Sequence, residues 1–206
     1  PADEAVATTT QTLTVKNPRG TYFADITGIG KGCKKDTWIA DISPDGETFT
    51  VLFSEYEAAV AAGEKVATSN CQLMIRLRSP QGLQYSVGSF FYTGEAYLDT
   101  PGMQAEQRAT YYFQGNPVDS SKGRSVLRGP TNVDHNGSPQ IMSYVYEDEI
   151  GLPDLVWSPC GADRRLNVQT SVNITNNEAQ TGNGFINTIS VDGSLRLVFR
   201  LYWRTC

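Results

Sequence analysis

Few side chains in this chain can do more than pack. They are four cysteines at positions 33, 71, 160 and 206, one histidine at 135, and a knot of carboxylates in YEDEIGLPD, namely Glu147, Asp148, Glu149 and Asp154. A zinc centre needs cysteines at C-x-x-C spacing or several histidines; neither is present, so the sequence predicts no metal and no cofactor. An even number of widely spaced cysteines fits two disulfides formed in an oxidising compartment. Four cysteines pair in three ways. Cys33–Cys71 and Cys160–Cys206 are favoured because they close loops of similar length within each half, and the crossed pairings stay open. A redox role would need a depressed thiol pKa and a close partner cysteine, and the sequence shows neither. His135 stands beside Asp134 in NVDHNGSP, but there is no G-x-S-x-G elbow to supply a nucleophile, so it reads as an exposed loop histidine. The carboxylates of 147–154 have the chemistry for Ca²⁺ or for acid catalysis but lack the D-x-D-x-D-G spacing of a calcium loop. They read as a solvated acidic loop.

Two further groups have binding chemistry. Asn173-Ile174-Thr175 is an N-glycosylation sequon, with Asn173 on the polar side of an alternating run. Asn136-Gly137-Ser138 also matches, but Pro139 follows it. Aromatic side chains on a sheet give flat platforms for sugar rings, and in SFFYTG and TYYFQG both parities are aromatic. One parity there is core, and either Tyr92 or Tyr112 is a candidate for an exposed platform. The C-terminal SLRLVFRLYWRTC places Leu, Phe and Trp on one parity and Arg196, Arg200, Tyr202 and Arg204 on the other. That second stripe is a candidate surface for an acidic glycan.

The elements that must position these residues are strands. Val168, Thr170, Val172 and Ile174 alternate with polar residues in LNVQTSVNIT. Cys71, Leu73, Ile75 and Leu77 do so in CQLMIRLR, and Phe49, Val51 and Phe53 in ETFTVLF; each is the pattern of a half-buried antiparallel strand. SPDG at 43–46 predicts a hairpin joining TWIADI to ETFTVLF, and VDGS at 191–194 a hairpin joining FINTIS to the terminal strand. SPQG at 79–82 joins two more strands, and Gly94 marks a bulge or bend. SEYEAAVAAG at 54–63, with a Ser-x-x-Glu capping pattern and a closing Gly, predicts one short helix, with an edge strand as the alternative. The Ser-, Gly-, Pro- and Asn-rich stretch from Val118 to Gln140 reads mostly as a surface loop. Residues 1–10 form a loose lead-in and 11–206 one domain. The class is all-β, an antiparallel β-sandwich of jelly-roll or Greek-key type with at most one short helix. Cys206 then ties the last strand to Cys160 and keeps it from fraying.

Composition narrows the partners. With 17 Lys and Arg against 22 Asp and Glu the net charge is −5, which argues against a nucleic-acid binder. No apolar run reaches the roughly 20 residues needed to span a membrane. A start at Pro1 without Met suggests a processed chain whose leader has been removed.

Six stretches in order carry a family resemblance: GIGKGC at 28–33, PDGETFTVLF at 44–53, NCQLMIRLRSPQGLQYSV at 70–87, ATYYFQG at 109–115, WSPCGADRRLNV at 157–168 and YWRTC at 202–206. Together they resemble the secreted fungal and bacterial domain-of-unknown-function family 4360, over nearly the whole chain. Where that family has G-x-G-C-P, this chain places Lys31 and Gly32 before Cys33 and Lys34 after it. The resemblance implies secretion to the extracellular space, an all-β domain and a two-disulfide pattern, and it brings no catalytic residues. The expected function is a secreted, disulfide-stabilised module that binds extracellular or cell-wall carbohydrate. The alternatives are a polysaccharide-acting hydrolase or lyase, and a secreted structural or effector protein with a surface-protein partner. The absence of a compact catalytic motif leans away from an enzyme.

Overall fold

Side-chain alternation with a period of two builds the framework. The structure, a computed structural model, describes residues 9–11, 22–43, 48–78, 80–115, 121–149, 152–160, 164–188 and 195–206. Among these, the only helical pieces are two 3-10 turns, Lys31–Cys33 and Leu152–Asp154.

One sheet has six strands: β1 (Thr9–Gln11), β2 (Tyr22–Ile29), β6 (Val66–Arg78), β8 (Gln104–Phe113), β9 (Ser121–Arg128) and β11 (Leu166–Thr175). Their order is β1-β2-β6-β11-β8-β9, and every pairing is antiparallel. The other sheet holds β3 (Trp38–Ile42), β4 (Thr48–Phe53), β5 (Glu57–Val60), β7 (Leu83–Leu98), β10 (Met142–Glu149), β12 (Gly184–Asn187) and β13 (Leu195–Thr205). Between the sheets lies one apolar core. Leu73, Ile75, Val168, Val172 and Ile174 come from the first sheet, and Phe49, Val51, Phe53, Val87 and Tyr92 from the second. The fold is thus an all-β antiparallel sandwich, as the alternation predicts.

Two disulfides brace it. Cys33, in the first 3-10 turn, is joined to Cys71 on β6, and both are buried; their Cα atoms are 5.4 Å apart. Cys160 is joined to Cys206, with a Cα separation of 6.0 Å, and both residues are exposed.

Four expectations need correction. The helix at 54–63 does not form. Glu57–Val60 is β5, with Ala58 and Val60 buried and Glu57 and Ala59 exposed, and it pairs with β12 at the sheet edge. Ser54 caps nothing; its hydroxyl donates to the Thr37 carbonyl at 3.2 Å. A ladder of hydrogen bonds to a fixed neighbour outweighs a modest helical propensity. The surface loop expected over 118–140 holds for 129–140 but is interrupted by a strand, because Ser121–Arg128 is β9, paired with β8 from Tyr111↔Ser121 to Gln104↔Arg128. Nor do the carboxylates of 147–154 share one acidic loop. Glu147 to Glu149 complete β10, and Asp154 ends the second 3-10 turn.

The fourth correction concerns the VDGS hairpin. The turn at 191–194 lies outside the described residues, as do Pro44–Gly46 of SPDG, but the strands flanking VDGS do not pair with each other. β12 pairs with β5 and β7, and β13 pairs with β4 and β7. β10 takes the opposite edge of β7, so β12 and β13 share one edge, one after the other and in the same direction. On their far side β4 and β5 do the same. Two interrupted strands therefore lie side by side, one broken at 54–56 and the other after Asn187. Gly94 sits on β7 beside the break, where an added Cβ would lie 2.2 Å from the Asn187 carbonyl oxygen. The register bulge of β7 falls instead at Gly88, between Arg200↔Ser89 and Leu201↔Val87. The strand of the β3–β4 hairpin does form as predicted, closed by Ser43 N–H to the Thr48 carbonyl at 2.8 Å. Thr9 and Thr10 of the expected lead-in pair with Gly28 and Thr27 of β2.

Candidate functional site

The outward parity of β11 explains the most distinctive surface. Its inward residues are core, and its outward residues, Gln169, Ser171 and Asn173, are polar and partly or fully exposed. β6 and β8 flank β11 in register. They place Gln72 and Thr110 beside Gln169, Asn70 and Arg108 beside Ser171, and Thr68 and Glu106 beside Asn173. The result is a sheet face of amides and hydroxyls three strands wide. Some of these groups bond laterally: Thr68 Oγ1 donates to Asn173 Oδ1 at 2.8 Å, and Gln169 Nε2 donates to the Tyr112 hydroxyl at 3.4 Å. Tyr112, half-buried, marks the β8 side of this lattice.

Charged clusters stand at both ends. Glu106 accepts from Arg124 Nε at 2.8 Å and from Arg124 Nη2 at 3.2 Å, and it also pairs with Arg108. Hydrogen bonds from Arg124 and then from Arg108 hold its carboxyl down at about 2, against an ordinary value near 4.5. At the other end Asp25 Oδ1 lies 3.2 Å from Arg165 Nη2, and Asp25 Oδ2 lies 3.5 Å from Arg76 Nη1. Each cluster is one carboxylate between two guanidiniums.

The structure separates the residues that the sequence grouped as a binding surface. Tyr92 is 1% exposed, packed in the core and stacked on Tyr146 at 6.1 Å, so it is no surface platform; Tyr112 is the outward one of the pair. Tyr202 is half-buried, and its ring covers Gly88. Arg204 is engaged within the chain, donating to Gln84 Oε1 at 2.9 Å and lying 4.2 Å above the Trp157 ring. The register sets Arg196 opposite Leu52 and Thr93, and Arg200 opposite Thr48 and Ser89; their side chains lie outside the described residues. Asn173 lies on the opposite sheet from this stripe. His135 is exposed. Asp134 does not orient it: Asp134 Oδ1 accepts from the backbone N–H of Asn136 at 2.9 Å and of Ser138 at 2.8 Å, organising the loop instead. Glu147 and Asp154 are exposed, while the side chains of Asp148 and Glu149 lie outside the described residues.

A second feature, invisible in the sequence, lies at the break between β4 and β5. A cavity of about 310 Å³ is lined by Ser54, Glu55, Tyr56 and Glu57. Behind it the Tyr56 hydroxyl shares a 2.8 Å hydrogen bond with Thr170 Oγ1. The Tyr144 hydroxyl, with one proton to donate, lies 2.9 Å from the Asn187 carbonyl oxygen and 3.1 Å from Gln107 Oε1. Burial pushes both phenols well above their ordinary value, so they remain protonated and act as polar braces between the sheets.

The profile of a domain of unknown function, DUF4360, matches residues 21–206. A fungal protein from Arthroderma benhamiae, named only as an uncharacterized secreted protein, is 32% identical over 192 residues, 92% of this chain and 74% of its own. Among solved structures, TmCBM61 in complex with β-1,4-galactotriose aligns with a TM-score of 0.29 at 8% identity, covering 87% of this chain and 88% of its own. The enzymatically active domain of bacteriophage CBA120 tailspike protein 4 aligns with a TM-score of 0.28 at 14% identity, covering 97% of this chain and 20% of its own. Neither structural likeness is close enough to bear on fold or ligand.

Proposed function

The chain belongs to the DUF4360 family, and on that footing we propose that it is a non-catalytic extracellular module that binds carbohydrate on the outer face of the six-stranded sheet. The observation that carries this reading is the amide and hydroxyl lattice across β6, β11 and β8. Sugar hydroxyls both donate and accept. Gln72, Gln169, Asn70 and Asn173 carry a donor and an acceptor each, Ser171 and Thr110 carry a hydroxyl that does either, and Thr68, whose proton goes to Asn173, adds an acceptor. A flat face suits an extended chain, and Tyr112 supplies an apolar ring face beside it. Glu106, held ionised by two arginines, is a poor proton donor, which speaks against acid catalysis at this face.

Glycan-array screening of the folded protein tests the reading, with Gln72→Ala/Gln169→Ala as the site variant. Retention on at least one polysaccharide, weakened about tenfold or more in the variant, is the expected result. Absence of retention on every glycan would refute it. A second reading, a surface-protein partner, is favoured by the opposite sheet, where Val145 and Ile39 are 72% and 58% exposed on outer strands. Pull-down loss in a Val145→Asp/Ile39→Asp variant with unchanged glycan binding would support that reading.

A further inference from the structure

We infer that the ligand of this face is a carboxylate-bearing, acidic polysaccharide; the inference rests on the binding reading above and names its substrate class. The basis is charge segregation. The whole chain carries a net charge of −5. Yet the outer face of the six-stranded sheet is basic. Arg108 on β8 and Lys122, Arg124 and Arg128 on β9 lie on its outward parity at one side. Arg76 and Arg78 on β6, with Arg165 just before β11, lie at the other. The carboxylates sharing this face among the described residues are Asp25 and Glu106 alone, and each is already held between two of these arginines.

This arrangement does more than raise the local potential. A guanidinium fixed by one carboxylate keeps further N–H donors in a planar fork, and its orientation is set before a ligand arrives. The Arg108–Glu106–Arg124 cluster keeps one surplus positive charge, so a second carboxylate is attracted where the first has arranged the donors. From Ser171, the β11 neighbour of Arg108, to Arg165 is six residues, about 20 Å along the strand. Between them lie Asn167 and Gln169 on β11, flanked by Met74 and Gln72 on β6 and by Tyr112 and Thr110 on β8. A polymer able to use the whole face therefore carries anionic groups spaced along a hydroxyl-rich chain. Nucleic acid is the poorer match, because its charge is dense and continuous, while here the middle of the face is neutral and the rest of the protein is acidic.

The test is affinity electrophoresis and titration calorimetry of the full chain, from a host that adds no glycan, against polygalacturonate, a neutral galactan and single-stranded DNA. Expected is binding to polygalacturonate that weakens about tenfold or more between about 50 and 300 mM salt, as screening shortens the reach of the clusters. Arg108→Ala/Arg124→Ala weakens it about tenfold or more. Lys122→Ala, at an exposed position where folding is not at stake, weakens it severalfold, and Lys35→Ala on the β2–β3 connection leaves it unchanged. Equal, salt-independent binding of the neutral galactan overturns the inference and leaves the carbohydrate module standing. DNA binding as tight as polygalacturonate binding also overturns it. Binding of no polysaccharide at all removes the module reading itself.

Discussion

Replacing Cys160 and Cys206 together by alanine tests how the terminal disulfide acts. The two residues are 46 apart in sequence, and loop-closure entropy for such a span corresponds to about 4 kcal/mol. With an unfolding entropy of roughly 2.1 cal/mol/K per residue, a domain of this length loses about 9 °C of Tm for that amount. Native contacts at the bond suggest that the loss acts mainly through the unfolded chain. Both cysteines are exposed, and the last strand is already laddered: Thr205 pairs with Leu83, and Cys206 N–H donates to the Gly82 carbonyl at 2.8 Å. The expected result is therefore a Tm fall of about 9 °C by calorimetry, with amide exchange of residues 201–205 still protected in the native state. A Tm change under about 2 °C would refute the entropic account. Loss of protection confined to 201–205 would show instead that the bond works as a local staple against fraying, the role the sequence suggests.

Three other outcomes follow from named contacts. Because Glu106 is held at about 2 when folded and titrates near 4.5 when not, its contribution is present above about 4.5 and is lost as pH falls toward 2. Glu106→Gln should flatten the acid limb of Tm against pH in that window, and an unchanged limb would contradict the arginine pairing. Gly88→Ala puts a Cβ 1.9 Å from the Tyr202 ring and should cost about 1–3 kcal/mol in denaturant unfolding. Adding Tyr202→Ala should make the two costs non-additive, and strict additivity would rule out that clash. A glycan on Asn173 would project over the same face as the proposed ligand, so trimming it from protein made in a eukaryotic host should strengthen polygalacturonate binding. Equal affinity of the two forms would separate the two surfaces.

Much of the framework was legible because half-buried strands write their burial into alternate residues. β4, β6 and β11 are such strands, and their inward residues are the ones the alternation selects. β9 was not legible. SKGRSVLR has little apolar parity, and it is a strand because β8 offers it an edge to pair with. β5 carries a helix-like local signal that a neighbour overrides. The hairpin at 191–194 was misread because a turn signal reports a local bend, while the two flanking strands both follow β7. Tyr92 was ambiguous for a related reason. The Gly88 bulge shifts the phase of β7, so inward residues are odd before it, as at Tyr85 and Val87, and even after it, as at Tyr92. One inserted residue exchanges the faces of everything beyond it.

By itself the sequence determined the class, the secreted location and the presence of paired cysteines, because alternation, composition and cysteine count are properties of the chain in any conformation. It also determined the net charge, and from it an expectation of no nucleic-acid partner. Tertiary structure decided where that charge lies. Arg108 and Arg124 are sixteen positions apart, and Asp25, Arg76 and Arg165 come from three separate regions, yet pairing of β2, β6, β11, β8 and β9 brings them onto one face. Charge sums along a chain whatever its fold. Which charges stand together depends on register between strands distant in sequence.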